Sequence, residues 1–239
     1  MEIQHFQTLP STSQYAAAAA REGAGHLYTV VAESQSAGRG RMERSFFSPP
    51  GGLYFSTVLR TPLTPAEYGA VTPFAALAVR RALYKICGVT AQIKWVNDLL
   101  VEGRKVCGIL AESGVDSAGR PYIILGIGIN TGNTAFPPAL CESAGSVPCC
   151  EREMLLQEIL AQLNSVTREI REGHWLSEYR DASAVLGRRV RVFSGSESYL
   201  AIPLDILPSG ALLVRDENGK THTLCGGEIS LRLTQDAEK

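Results

Sequence analysis

The chain has 239 residues, 45% of them apolar and 20% charged, an ordinary globular composition with enough chain for one large or two small cores. Lysine plus arginine number 23 against 24 aspartates plus glutamates, a formal charge of −1. That balance excludes disorder driven by self-repulsion and a polyanion partner held by bulk charge, and it leaves room for a local cationic site.

The opening residues MEIQHFQTLPSTSQ have neither the basic start nor the apolar run of a secretory signal. No stretch approaches the roughly 18 unbroken apolar residues of a membrane span. Six cysteines (Cys87, Cys107, Cys141, Cys149, Cys150 and Cys225) are irregularly spaced with no Cys-x-x-Cys, so free thiols in a reducing cytoplasm are expected. The adjacent Cys149 and Cys150 lack a His or Cys partner at ligand spacing, and no metal site is expected.

Ser11 to Arg21 reads as a first helix, with Ser11 and Gln14 in a capping-box pattern ahead of an alanine run. His26 to Ala32 is β-branched and aromatic and predicts a strand. Glu33 to Gly52 is rich in Gly, Arg, Ser and Pro and is too irregular for either element; Leu53 to Leu59 is the next strand. Thr64 with Pro65 predicts the opening of a long helix that closes near Gly88. Ile93 to Val96 reads as a short strand. Leu99 to Val101 and Val106 to Ala111 form a hairpin about Glu102-Gly103, and a second pair runs from Ile109 to Gly126 across Asp116 to Arg120. Thr131 to Pro148 is loop-like. Leu155, Ile159, Leu163, Val166 and Ile170 recur at helical spacing, predicting one helix from Glu151 to Glu172. Beyond about Ala184 come short strands at Arg188 to Phe193, Tyr199 to Leu204, Ala211 to Arg215 and His222 to Leu224, separated by tight turns. These predict a small antiparallel β-domain, barrel-like, after an α+β domain.

Common catalytic templates are absent: no Walker-A loop, no Gly-x-Ser-x-Gly, no His-Glu-x-x-His, and no third glycine after Gly126 and Gly128. Three local patterns carry chemistry. Gly38-Arg39-Gly40-Arg41-Met42-Glu43-Arg44 sets three guanidiniums on a glycine-loosened backbone, either an anion-binding nest or a solvated basic loop. Lys94-Trp95-Val96-Asn97-Asp98 precedes Lys105 and Gly108, and a hairpin between them gathers two ammoniums, an amide and a carboxylate. A strand-end Lys–Asp pair is the plainer account. Gly126-Ile127-Gly128-Ile129-Asn130 leaves one face of a strand bare for a flat ligand or for close packing, with Asn130 at its end.

In this order, Ser11-Thr12-Ser13, Gln35 with Gly38-Arg39-Gly40-Arg41, Lys94-Trp95-x-Asn97-Asp98, Lys105-x-x-Gly108 and Gly126-x-Gly-x-Asn130 resemble the biotin protein ligases. Gly226-Gly227-Glu228-Ile229-Ser230 resembles the end of that family's C-terminal domain. The resemblance implies an α+β catalytic core over residues 1–184, with helices and a mixed or antiparallel sheet like that of class II aminoacyl-tRNA synthetases. An SH3-like β-barrel over 185–239 follows. It also implies a cytoplasmic ligase that joins biotin to a lysine of a biotin carboxyl carrier domain through biotinyl-5′-AMP, using ATP and Mg²⁺. No DNA or membrane partner is expected, because the Ser11-Thr12 motif begins too early for the N-terminal DNA-binding domain of some relatives. A homodimer is expected by analogy.

By the same resemblance Ser11, Thr12, Ser13, Gln35, Gly38, Arg39, Gly40, Arg41, Lys105 and Gly108 would contact biotin. Arg41, Arg44, Phe46, Lys94, Trp95, Asn97 and Asn130 would address ATP. Lys105, Arg41 and Asp98 would be catalytic: Lys105 as the central cation between the two anions, Asp98 receiving or orienting the proton of the carrier lysine. Three positions depart from the family pattern. Glu43 stands for a glycine, Phe46 for a tryptophan and Val96 for a proline.

Overall fold

The computed structural model describes residues 2–42, 44–132, 135–148, 151–194, 197–226 and 229–233. Glu43, Cys149, Cys150, Gly227 and Glu228, singled out above, lie outside them. Seven strands form the first sheet: β1 (Ile3–Leu9), β2 (Thr29–Gln35), β3 (Leu53–Leu59), β4 (Gln92–Lys94), β5 (Asp98–Val101), β6 (Arg104–Val115) and β7 (Pro121–Ile129). They lie in the order β1-β2-β3-β7-β6-β5-β4. β1 and β2 are parallel and the other pairs antiparallel, a mixed sheet as expected.

Strand alternation divides the sheet's two faces. On β7, Ile123, Leu125, Ile127 and Ile129 face the main core with Val31 and Phe55, under the long helix α2 (Val71–Cys87). Tyr122 and Ile124 face the other way and pack with Val30, Val58, Ala16 and Ala20 under α1 (Thr12–Arg21). Gly126 and Gly128 continue this second face beyond the N-terminus of α1. The alanine run therefore lets α1 sit close over one half of the face, and the glycines leave the other half open. That opening is the candidate site.

Several expected boundaries move. β2 begins at Thr29 rather than His26, because the chain turns at Gly25–Tyr28, where the Tyr28 N–H donates to Gly25 O and Leu27 takes a φ of 59°. β1, unread in the sequence, is a half-exposed edge strand whose polar composition conceals it. Thr64 makes a capped turn, its N–H and hydroxyl both donating to Glu67 Oε2 (2.6 and 2.9 Å), and a 3₁₀ turn at Tyr68–Ala70 precedes α2. The helix expected from Glu151 to Glu172 is two, α3 (Arg152–Leu163) and α4 (Val166–Glu172). The break at Asn164-Ser165 leaves Leu163 and Val166 both buried, so the spacing of apolar residues hides it. A fifth helix, α5 (Trp175–Asp181), buries Trp175 and Tyr179.

The C-terminal strands β8 (Val190–Ser194), β9 (Glu197–Ile206), β10 (Leu212–Asp216), β11 (Thr221–Leu224) and β12 (Ile229–Leu233) pair antiparallel in the order β11-β10-β9-β8-β12. Arg180 ties α5 to this sheet, donating to both Asp205 carboxylate oxygens and to Ile206 O. Cys107, Cys141 and Cys225 are free thiols. Cys87 is disulfide-bonded, against the expectation from spacing, which carries no information about tertiary proximity. Among the described residues no helix is long and apolar enough to cross a membrane.

Candidate active site

The open half of the face is a cavity of about 230 Å³. Its lining includes Thr12, Ser13, Gln35, Arg39, Gly40, Arg41, Arg44, Phe46, Lys94, Trp95, Asn97, Asp98, Lys105 and Gly108. The fold thus gathers segments that lie up to about a hundred residues apart in the chain. Ser11, Gly38 and Asn130 stand outside this lining. Ser11 caps α1, accepting the Gln14 N–H at 3.5 Å. Gly38 lies where a Cβ would meet Phe46 O at 2.4 Å, so it lets the loop fold back on itself.

Two cross-strand rows make the floor. In one, Tyr54, Gly128 and Gly108 are in register, and in the next Ser56, Gly126 and Leu110. A Cβ at Gly128 would lie 2.5 Å from Phe46 Cε1, and one at Gly108 2.9 Å from Phe46 Cε2. The Phe46 ring therefore rests on backbone, edge-on to Tyr54 (6.3 Å between centroids, 71°). Both accounts of the glycine pattern hold at once, close packing by Phe46 and an open floor beside it.

At the polar end, the Thr12 N–H and hydroxyl both donate to Gln35 Oε1 (2.9 and 3.1 Å). Thr12 Oγ1 and Ser13 Oγ lie 2.8 and 3.0 Å from Ser56 Oγ, and Gln35 Nε2 donates to Ser48 Oγ at 2.9 Å. Ser48 and Ser56 were not anticipated. The signal for Ser56 was a hydroxyl in the otherwise apolar start of strand LYFSTVL, where it is fully buried.

At the charged end, Lys105 Nζ stands 2.7 Å from Asp98 Oδ1 and 5.6 Å from the Phe46 ring centroid. The ion pair is close but not aligned as a hydrogen bond. The Lys105 backbone is held on both sides, its N–H donating to Ser143 O and its carbonyl accepting from Gly145 N (2.8 Å each). Arg41 Nη1 donates to Asn97 Oδ1 at 3.0 Å, and Asn97 Nδ2 donates to Ile109 O at 3.2 Å. Asn97, expected at a nucleotide base, thus uses its amide to hold Arg41. Burial draws Arg41 below the usual arginine range, Asp98 opposes that shift and Arg44 adds to it. Arg39 reaches Glu112 of β6 (3.3 Å), another residue that sequence reasoning missed. Gly40 N donates to Arg44 O and Phe46 N to Gly38 O, so the arginine loop folds as a small hairpin over the cavity.

A second cavity of about 440 Å³ adjoins the first and shares Ser45, Phe46, Lys94, Asp98 and Lys105 with it. Asn130, Phe136 and Leu140 complete much of its wall. Asn130 Nδ2 donates to Gly145 O at 2.9 Å, and its buried Oδ1 has no hydrogen-bond partner among the described residues. Among the described residues no group of three or more His, Cys, Asp or Glu comes together, and Asp98 is already matched by Lys105. This donor set does not fit a resident Mg²⁺.

The model of the biotin/lipoate A/B protein ligase family matches residues 6–130, and that of the biotin protein ligase C-terminal domain matches residues 185–232. The chain belongs to the biotin/lipoate A/B protein ligase family. Within this ligase family it is 36% identical over 146 residues to the bifunctional ligase/repressor BirA of Bacillus subtilis, covering 60% of this chain and 45% of that one. The chain therefore spans under half the length of that curated relative. It is 31% identical over 206 residues to the biotin–[acetyl-CoA-carboxylase] ligase of Paracoccus denitrificans, covering 80% of this chain and 85% of the relative. The ligase fold is shared with the biotin protein ligase of Aquifex aeolicus solved with biotin and ATP, at a TM-score of 0.84 and 24% identity over 98% of this chain and 99% of that one.

Proposed function

We propose that the chain is a biotin protein ligase. It condenses biotin with ATP to biotinyl-5′-AMP and pyrophosphate, then passes the biotinyl group to a lysine of a biotin carboxyl carrier domain, in the cytoplasm. The catalytic unit is residues 1–184, and residues 185–239 form the C-terminal domain. The observation that carries this reading is the position of Lys105, which lines both cavities at once.

The first cavity takes biotin with its ureido ring at Thr12, Ser13 and Gln35 and its carboxylate toward Lys105. Gly108 allows close approach along the tail. The second takes the nucleotide, with adenine against Phe46 and the unpartnered Asn130 Oδ1 accepting from its amine. In the first step a carboxylate oxygen attacks the α-phosphorus and pyrophosphate leaves. Two anions must meet, and Lys105, Arg41, Arg44 and Lys94 reduce their repulsion and stabilise the charge that builds on the leaving group. Mg²⁺ accompanies the nucleotide as the counter-ion of its phosphates, and no residue cage for it is required.

In the second step the carrier lysine attacks the acyl carbon and AMP leaves. That amine must be neutral, and Asp98, which lines both cavities, receives or orients its proton. Trp95, Arg39 and the loop around Gly40 close the site, which keeps water from the mixed anhydride. The test is pyrophosphate release with ATP plus biotin, plus lipoate, or with no acid, followed by transfer to a purified carrier domain. Release that does not depend on biotin overturns the reading.

A further inference from the structure

The polar end of the first cavity has a direction that one backbone group determines. The Thr12 N–H can only donate, so the atom of Gln35 facing it is the oxygen, and the amide orientation is settled. The Thr12 hydroxyl proton then goes to the same oxygen. Thr12 Oγ1 has no other proton, so in its 2.8 Å contact with Ser56 it accepts and Ser56 donates. Ser56 has then spent its proton, and in the 3.0 Å contact with Ser13 it accepts and Ser13 donates. On the other arm Gln35 Nε2 donates to Ser48 Oγ, and Ser48 donates to Phe46 O at 2.9 Å. Each hydroxyl proton of Thr12, Ser13, Ser48 and Ser56 is thus committed to a protein acceptor.

Ser13 consequently turns lone pairs toward the cavity, and Gln35 retains one N–H for it. Gly126 keeps the arrangement possible, since a Cβ there would lie 2.5 Å from Ser13 Oγ and 3.3 Å from Ser56 Oγ. Ser56 is fully buried, on the strand beneath, and is absent from the cavity lining.

We infer that Ser56 is a specificity-determining positioning residue, which fixes Ser13 as a hydrogen-bond acceptor and so commits the site to a head group carrying an N–H beside a carbonyl, a cyclic urea, over a ring without N–H donors such as a dithiolane. The inference deepens the biotin reading above and rests on it. A site built on fixed polar partners rejects an analogue that leaves one unpaired far more strongly than an apolar pocket rejects a change in size. Removing the Ser56 hydroxyl frees the Ser13 proton to rotate into the cavity, and the commitment is lost while the cations remain in place.

The experiment measures pyrophosphate release by the intact chain with biotin and with each of its two mono-N-methylated ureido derivatives. For Ser56→Ala the expected result is a KM for biotin raised about tenfold, the size of one lost hydrogen bond. The KM for ATP and kcat at saturating biotin stay within about twofold, and the preference for biotin over the methylated compounds shrinks by about tenfold. Ser56→Cys, which keeps a weak donor, falls between. An unchanged preference, with biotin and methylated compounds affected equally, overturns the inference, because general damage to β3 acts on both alike. Should Ser56→Ala fail to fold, Ser13→Ala removes the acceptor itself; an unaltered preference for biotin over the methylated compounds there overturns the inference equally. Failure of the biotin reading itself shows in the unsubstituted enzyme, as release driven by lipoate or by no acid, and removes the inference with it.

Discussion

The indole N–H of Trp95 donates to the carbonyl of Gly210 at 3.0 Å, from the wall of the first cavity to the turn between β9 and β10. That turn presses backbone on backbone. A Cβ at Gly210, whose φ is 81°, would lie 2.5 Å from Gly69 O, and one at Gly69 would lie 2.6 Å from Ser209 O. The C-terminal sheet therefore braces the cavity wall as well as the start of α2. Trp95→Phe keeps most of the ring and leaves a buried carbonyl without its donor, a cost of about 1–3 kcal/mol. In a chain of this length the expected fall in Tm is a few degrees, read by thermal denaturation. An unchanged Tm would mean that the turn is held by the glycine contacts alone.

Lys105 is the group on which both anions converge in the proposed chemistry. Lys105→Ala removes that cation and leaves the Asp98 carboxylate without its partner at 2.7 Å. Pyrophosphate release is expected to fall by about 100- to 1,000-fold, the usual cost of deleting one preorganised charge at a developing anion. A rate within about tenfold of the unsubstituted enzyme would assign the role to another cation.

The arginine loop is fastened at Arg39 by Glu112, an ion pair whose side chains are 44% and 39% exposed. Exposure of that degree makes the pair worth no more than about 1 kcal/mol. Glu112→Gln should leave Tm unaltered yet raise the rate of adenylate loss by up to about fivefold, measured by release of labelled biotinyl-5′-AMP. Amide exchange at Gly40 and Phe46 should slow when biotin and ATP are both added. Equal exchange with and without the two ligands would count against closure of the loop over the adenylate.

Acid sensitivity should come from the other end of the sheet, where Arg60 donates to Ala20 O and Ala24 O at the close of α1. His26 Nδ1 accepts the Arg60 N–H at 3.1 Å, so the imidazole is bound as the neutral form, and burial lowers its pKa. Arg60 also pairs with Asp116 (3.0 Å), whose pKa is held down chiefly by the Arg120 backbone N–H. Both folded-state values are depressed, so each contribution is complete above the group's unfolded pKa and is lost as the pH falls through the folded one. Stability should decline first below about pH 6.5, for His26, and again below about pH 4, for Asp116. Thermal midpoints against pH should show both declines, and His26→Gln should remove the first alone. Persistence of the upper decline in that variant would assign it to another group.

The residue types of the site were legible early because their chemistry is local. Three arginines on a Gly-x-Gly loop, a lysine after a hairpin turn and alternate glycines on a strand each state a local property of backbone or charge. The hairpin at Glu102-Gly103 was legible for the same reason, since both residues take positive φ (51° and 75°) and such pairs make tight turns. Less legible were breaks that preserve the apolar pattern, such as Asn164-Ser165, and an edge strand such as β1 that buries too little to show alternation.

The sequence by itself determined that this chain has an α+β core followed by a small β-domain, and that its positive charge is concentrated near Arg41 and Lys105 despite a net charge of −1. Only the tertiary structure decided which groups those charges meet and which hydroxyls stand together at the candidate site. Cross-strand register puts Ser56 beside Gly126, and Glu112 on the face that Arg39 can reach. The fold of the arginine loop puts Asn97 against Arg41. Register and loop closure are set by long-range packing, and no local run of residues encodes which hydroxyl will stand opposite which glycine.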